Sequence, residues 1–356
     1  MIKIAIDVSP LSNDNSKRGV GYYTQNLVDS LQKEIKNNPK YKKWKIELLT
    51  KGPILSTNKY NLIHYPYFDP FQLTLPVKKE TPTIITIHDL IPRQFKSHFP
   101  VGIKGEIKWR LQKIKARKSN FIITVSHYSK HIIKDILNYP EDKIYVTHLA
   151  ADNKFVQIKD HQYPEAIRKK YNLPQQFILY VGDLNWNKNI VRLVKVCQKL
   201  NYPLVIVGSA ATKTNIENHP WNQDILWLQK NKTENIFFTG YVPDDELPAL
   251  YNLAKFYCQP SLAEGFGLPV IQAMTCGCPV AYSKETSLPE IMDYCGVFFN
   301  PHSQKDMSRV IKQFWNSAKT REKFKELGIK RSKIFNWKYT AQQTLAIYEL
   351  ALIDEK

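Results

Sequence analysis

The chain has 356 residues with 43% hydrophobic and 12% aromatic content, enough for two domains with adequate cores and too aromatic for a disordered chain. Its net charge is +19, and it is uneven: residues 1–170 carry 30 Lys+Arg against 15 Asp+Glu, whereas residues 171–356 carry 21 against 17. The first half therefore has a field that attracts nucleic acid, anionic lipid or a phosphorylated substrate.

The N-terminal stretch MIKIAIDVSP has too short an apolar run for a signal peptide. Ile2, Ile4, Ile6 and Val8 read as a buried parallel strand. The polar loop SPLSNDNSKRG follows, and Val20-Gly21-Tyr22-Tyr23 opens a helix to about Ile35. Strand, glycine loop and helix form the first unit of a doubly wound domain. Trp44–Leu49 and Asn61–Tyr65 read as strands, and Thr83–Ile87 as a central one ending in His88-Asp89-Leu90. The carboxyl end of a parallel strand borders the ligand crevice, which makes His88 a candidate for chemistry. From Arg93 to Lys118 there are nine basic residues and one acid, Glu106, with Ile103, Ile107, Leu111 and Ile114 at helical spacing. This helix either packs its apolar row on its own domain, or lays a basic face and Trp109 on lipid head groups; the two are compatible. Phe121–Val125 is a strand, Ser126–Leu137 a helix capped by Ser126, and Lys143–His148 a last strand. The polar stretch 151–174, with Pro164 and Pro174, reads as the interdomain linker.

The second half repeats the grammar. Phe177–Val181 is a strand followed by the loop Gly182–Asn189, and Pro203–Val207 ends at Gly208. Asn235–Thr239 leads into Gly240-Tyr241-Val242, and Ala254–Cys258 leads into Pro260–Glu290, PSLAEGFGLPVIQAMTCGCPVAYSKETSLPE. There a polar turn precedes Gly265-Phe266-Gly267-Leu268-Pro269, with proline at a first helical position. The two glycines let backbone N–H groups approach a ligand, and the helix N-terminus behind them suits a phosphate. Glu264 repels phosphate but accepts hydrogen bonds from sugar hydroxyls, and Gln272, about a turn into the helix, can reach a ribose. The stretch reads as a site for a nucleotide-activated sugar.

The five cysteines (Cys197, Cys258, Cys276, Cys278 and Cys295) form no regular framework and read as reduced thiols of a cytosolic protein. Cys276-Gly277-Cys278 lacks zinc spacing, and the i, i+4 pair His127 and His131 has no third ligand, so no metal is expected. No nucleic-acid recognition motif accompanies the charge, so no nucleic acid is expected either. No segment approaches the roughly 20 apolar residues of a membrane span.

The strings EGFGLPVIQAM, GCPV and SLPE resemble the retaining glycosyltransferases of family four. The resemblance implies a GT-B fold: α/β, two doubly wound Rossmann-like domains facing each other across a cleft. An acceptor-side domain at 1–165 and a nucleotide-sugar-binding domain at 171–337 are expected, with a C-terminal helix at about 338–356 crossing back to the first. The family signature is a Glu, seven residues and a second Glu; Glu264 matches the first, and position 272 departs from it as Gln. His88 matches the residue near the donor sugar and Lys188 the diphosphate lysine. Gly19 and Gly21 would lie under the donor phosphates, and Gly208, Val242, Gly265, Phe266, Gly267 and Leu268 would complete the donor site, with the base against Gly240–Val242. The family's arginine is absent: its positions hold Asp183 and Asn187. The expected activity is retaining, metal-independent transfer of a hexose, mannose favoured, from a GDP- or UDP-linked donor that is substrate rather than cofactor. The acceptor would be a glycan or lipid-linked molecule in polysaccharide or glycolipid assembly, at the inner face of the plasma membrane. The alternative is a nucleotide-sugar-binding module whose catalysis has decayed.

Overall fold

The computed structural model describes residues 1–50, 59–76 and 81–353. The chain forms two compact α/β units, Met1–Leu149 with Asn336–Lys356, and Ala150–Phe335.

The first unit is built on β1 (Ile2–Asp7), β2 (Trp44–Leu49), β3 (Leu62–Tyr65), β4 (Thr83–Thr86), β5 (Phe121–Thr124) and β6 (Ile144–Val146). All pair in parallel in the order β2-β1-β3-β4-β5-β6. The direction of winding reverses between β1 and β3, which is where an open sheet of this kind leaves its crevice. Strands β3, β4 and β5 are buried along their whole length, as unbroken apolar runs require when helices cover both faces. The Gly19–Asn37 helix packs against the C-terminal helix Trp337–Ile353. A polar chain inside this unit ties that C-terminal helix to the sheet. His64 on β3 is fully buried and bonds the Tyr348 hydroxyl through Nδ1 at 2.6 Å and Thr86 Oγ1 through Nε2 at 2.8 Å. Thr86 Oγ1 in turn meets the Tyr23 hydroxyl at 3.1 Å.

The Gly102–Arg117 helix turns the opposite way from one expectation. Gly105, Trp109, Gln112 and Ala116 face inward, and Ile103, Ile107, Leu111 and Ile114 face outward. Both rows have helical spacing, so periodicity alone does not choose between them. Partners do. Arg93 lies over the Trp109 ring at 4.8 Å and bonds both oxygens of Glu106, while Gln112 Nε2 donates to Asp69 O and Thr74 Oγ1. Trp109 is thus buried and does not face a lipid surface.

The second unit is built on β7 (Ile178–Val181), β8 (Leu204–Val207), β9 (Ile236–Gly240), β10 (Phe256–Gln259), β11 (Val280–Ser283) and β12 (Val297–Phe299). Their order is β12-β11-β10-β7-β8-β9, again all parallel. Counted from β7, this is the strand order of dinucleotide-binding sheets. Its core packs Ile178, Leu193, Val196, Leu204, Ile206 and Phe256 with Ile311 and Phe314. Residues 151–174, read from sequence as a linker, belong to this unit. Gln162–Lys170 is a helix that packs on Leu247–Leu253, with Pro164 in its first turn, where proline is tolerated. Arg168 fixes its end by donating to Glu165 and to Pro174 O. The boundary consequently falls at residue 149 rather than at about 165.

Candidate active site

In the second unit the winding reverses between the paired strands β7 and β10, so ligands are expected off their carboxyl ends. The loops leaving those ends are stitched together. Asn187 O accepts from Leu262 N at 2.7 Å, and Asn187 Nδ2 donates to Ala263 O at 3.0 Å. Asn189 takes the left-handed conformation, φ 55°, which Asn tolerates, and Nδ2 donates to Pro260 O and Pro301 O. Asn187, which stands where an arginine was expected, is thereby a buried part of the loop framework.

This framework brings Lys188 and Glu264 together. Lys188 Nζ lies 2.8 Å from each Glu264 oxygen, with side-chain exposures of 21% and 8%. The carboxylate is held from behind as well. Oε1 also accepts from Gln259 Nε2 at 2.8 Å and Ser261 Oγ at 2.7 Å. The Tyr257 hydroxyl donates to Gln259 Oε1, which fixes the amide orientation, and Gln259 Nε2 donates to Ser261 Oγ at 2.7 Å. The side-chain donors of Gln259 and Ser261 therefore converge on the carboxylate. Among the described residues Oε1 takes three donors and Oε2 one, so Oε2 keeps the capacity to accept from a ligand hydroxyl. The backbone is pinned too: Glu264 N donates to Thr286 Oγ1 at 2.9 Å, and Ser287 Oγ lies within hydrogen-bond distance of Glu264 O and Phe266 O. Thr286 has φ 54°, uncommon for a β-branched residue; strain of that kind concentrates at functional sites.

Behind Glu264, Gly265, Phe266 and Gly267 are buried, Leu268 is half-buried and begins the Leu268–Thr275 helix, and Phe266 packs edge-on to Phe335. Gly267 has φ 100°, a conformation that strains any L side chain, and a Cβ there would crowd Leu288 Cδ2 at 2.8 Å. Gln272 is buried on this helix, and its Oε1 accepts from the Tyr251 hydroxyl at 3.1 Å. Gly208 comes so close to the β7 loop that a Cβ would lie 2.5 Å from Gly182 O. Val242 is buried beside exposed Tyr241. Asp183 is exposed, and its backbone O accepts from the Tyr180 hydroxyl.

In the first unit His88 sits just past β4. Its Nε2 donates to Pro66 O at 3.2 Å and its ring meets Tyr23 edge-on at 4.6 Å. Burial pushes its pKa down to about 4, which leaves a neutral ring with Nδ1 as the acceptor nitrogen at pH 7. Gly21 lies on the Asn13–Arg18 turn, where a Cβ would approach Asn15 O to 2.5 Å, whereas Gly19 has open space around it.

Sequence reasoning missed Gln259, Ser261, Tyr257 and Thr286. The available signal was local: β10 ends in a polar residue, Gln259, after an apolar run, and Ser261 stands three residues before Glu264. Ser287 lay inside the SLPE string but carried no role there.

The sequence signature of glycosyl transferases group 1 matches residues 164–331, and that of glycosyltransferase family 4 matches residues 34–154. The chain is 33% identical over 241 residues to O-antigen chain mannosyltransferase B of Escherichia coli, covering 65% of this chain and 61% of that protein. It is 29% identical over 271 residues to the serotype-specific mannosyltransferase WbdA of Escherichia coli, covering 73% of this chain and 32% of that protein. The chain thus spans 61% and 32% of the length of these two relatives. Among solved structures, sucrose-phosphate synthase from Thermosynechococcus elongatus superposes with a TM-score of 0.76 at 18% identity, over 99% of this chain and 100% of that one. Anabaena HepE in complex with UDP-glucose superposes at 0.72 and 15% identity, over 98% and 99%. The fold is that of the GT-B glycosyltransferases, and the chain belongs to the group 1 glycosyltransferase family.

Proposed function

We propose that the chain is a retaining, metal-independent hexosyltransferase, mannose favoured, using a GDP- or UDP-linked sugar. The observation that carries the proposal is the largely buried Lys188–Glu264 pair at the point where the second sheet reverses. The named relatives are mannosyltransferases, and a structural neighbour is described with UDP-glucose, which supports the donor class.

Breaking the bond between anomeric carbon and phosphate oxygen places charge on the leaving diphosphate. Lys188 Nζ would stabilise that charge, aided by the N-terminus of the Leu268–Thr275 helix. Glu264 Oε2 would accept a donor-sugar hydroxyl. The acceptor oxygen attacks the same face from which the phosphate leaves, and its proton passes to the departing phosphate oxygen. Configuration at the anomeric carbon is then retained without a carboxylate nucleophile of the hydrolase kind. With its oxygen engaged by Tyr251, Gln272 would meet the ribose through its amide N–H groups. The base would rest on the Gly240–Val242 backbone. The role of His88 is carried by the resemblance alone. The acceptor is a glycan or lipid-linked molecule of polysaccharide or glycolipid assembly. An anionic membrane surface, met through the basic helix, fits the charge of the first unit.

The second reading is a nucleotide-sugar-binding module without turnover, motivated by the absence of an arginine at Asp183 and Asn187. Turnover of radiolabelled GDP-mannose and UDP-hexoses separates the two: acceptor-dependent transfer supports the enzyme, and tight binding without transfer supports the module.

A further inference from the structure

The outward row of the Gly102–Arg117 helix is left in water. Ile103, Ile107, Leu111 and Ile114 are 82%, 53%, 45% and 55% exposed. Single exposed aliphatic residues are ordinary, but a contiguous row marks an interaction surface. At 100° per residue, Lys104 and Lys108 flank the row on one side and Arg110 and Arg117 on the other, and all four are exposed. The helix's one acid, Glu106, is bound to Arg93. A second copy of this chain would bring cations against cations. An anionic bilayer matches both parts: aliphatic side chains enter the acyl boundary while Lys and Arg hold head groups.

We infer that Ile103, Ile107, Leu111 and Ile114 insert into the interface of an anionic membrane, so that docking has an apolar component as well as an electrostatic one. This rests on the membrane reading above and adds to it. The helix is already anchored for such a load. Gln112 fixes it to the Asp69–Thr74 turn, and Lys115 Nζ donates to Leu75 O at 2.7 Å. The segment that holds Gln112 begins at Pro66, whose carbonyl oxygen holds His88. The lipid-facing helix is therefore one loop removed from the candidate catalytic histidine, which suits an acceptor carried on a lipid.

The test is co-sedimentation of the full chain with phosphatidylcholine vesicles, with and without phosphatidylglycerol, at about 0.1 M and about 1 M salt. The comparison is Ile107→Asn with Ile114→Asn, with circular dichroism verifying the fold. The wild type should bind the anionic vesicles and retain part of that binding in high salt. The double variant should bind roughly 100-fold more weakly at low salt and lose the salt-resistant part. Binding that salt abolishes completely, and that the double variant keeps, overturns insertion but leaves the electrostatic membrane reading standing. No binding to anionic vesicles at any salt overturns both. A wild-type dimer that becomes a monomer in the double variant, by light scattering, assigns the row to self-association and overturns the inference.

Discussion

Glu264→Gln separates the two tasks given to the Lys188–Glu264 pair. In the free protein the ammonium is 2.8 Å from each carboxylate oxygen and the pair is mostly buried. The substitution leaves that cation without its counter-charge. Breaking a fully buried pair costs about 3–5 kcal/mol; with Lys188 one-fifth exposed, about 2 kcal/mol is expected. The effect on free nucleoside diphosphate has the opposite sign. A phosphate oxygen hydrogen-bonded to the same Nζ would lie within about 5–6 Å of the carboxylate, where like charges repel by about 3 kcal/mol at an effective dielectric of 20. Solvent screening and the neighbouring dipoles reduce this to about 1–2 kcal/mol. The variant should therefore melt lower, bind GDP or UDP roughly tenfold more tightly by calorimetry, and turn over about 10²-fold more slowly because the sugar hydroxyl loses its charged acceptor. Weaker diphosphate binding by the variant, with the fold intact, would refute the placement of the phosphate at Lys188.

Gly267→Ala should lower stability by about 1–3 kcal/mol, read as a depressed Tm, because φ 100° strains any L side chain and the new Cβ would make Leu288 Cδ2 shift. Burial pushes the His64 pKa down to about 3. The unfolded chain then takes up a proton that the folded chain refuses, and stability falls as pH drops from about 6.5 toward 3. His64→Gln should flatten that slope of Tm against pH while lowering Tm near neutrality; His88, shifted in the same direction, keeps the residual slope. Gln272→Glu keeps an acceptor for Tyr251 and adds a charged one. It should tighten ribonucleotide binding by about 1 kcal/mol and leave 2′-deoxyribonucleotide binding nearly unchanged, as calorimetry can measure.

Much of the architecture was legible because parallel strands buried on both faces read as plain apolar runs, as at Ile2–Asp7 and Thr83–Thr86. Their ends were less so: Lys143–His148 contracts to Ile144–Val146 because Glu141–Lys143 is a turn of 3-10 helix. Glu264 and Lys188 were singled out as candidates by the strings around them. Their mutual contact was not legible, since it depends on loops 76 residues apart meeting through Asn187. Gln259 and Ser261 were ambiguous for a related reason: a polar residue at a strand end or just past it has many uses, and only the direction of its hydrogen bonds reveals this one. The Gly102–Arg117 helix misled because two rows share one period. The more hydrophobic row was the natural choice for the core, but Trp109 and Gln112 had the partners.

The most direct measurement of the central claim is acceptor-dependent release of nucleoside diphosphate from a panel of GDP- and UDP-sugars, followed for the wild type, Lys188→Ala and Glu264→Ala. The account predicts release by the wild type, product with the donor's anomeric configuration by NMR, and turnover at least about 10²-fold lower in both variants. Near-wild-type turnover in either variant, or a product of inverted configuration, would contradict it.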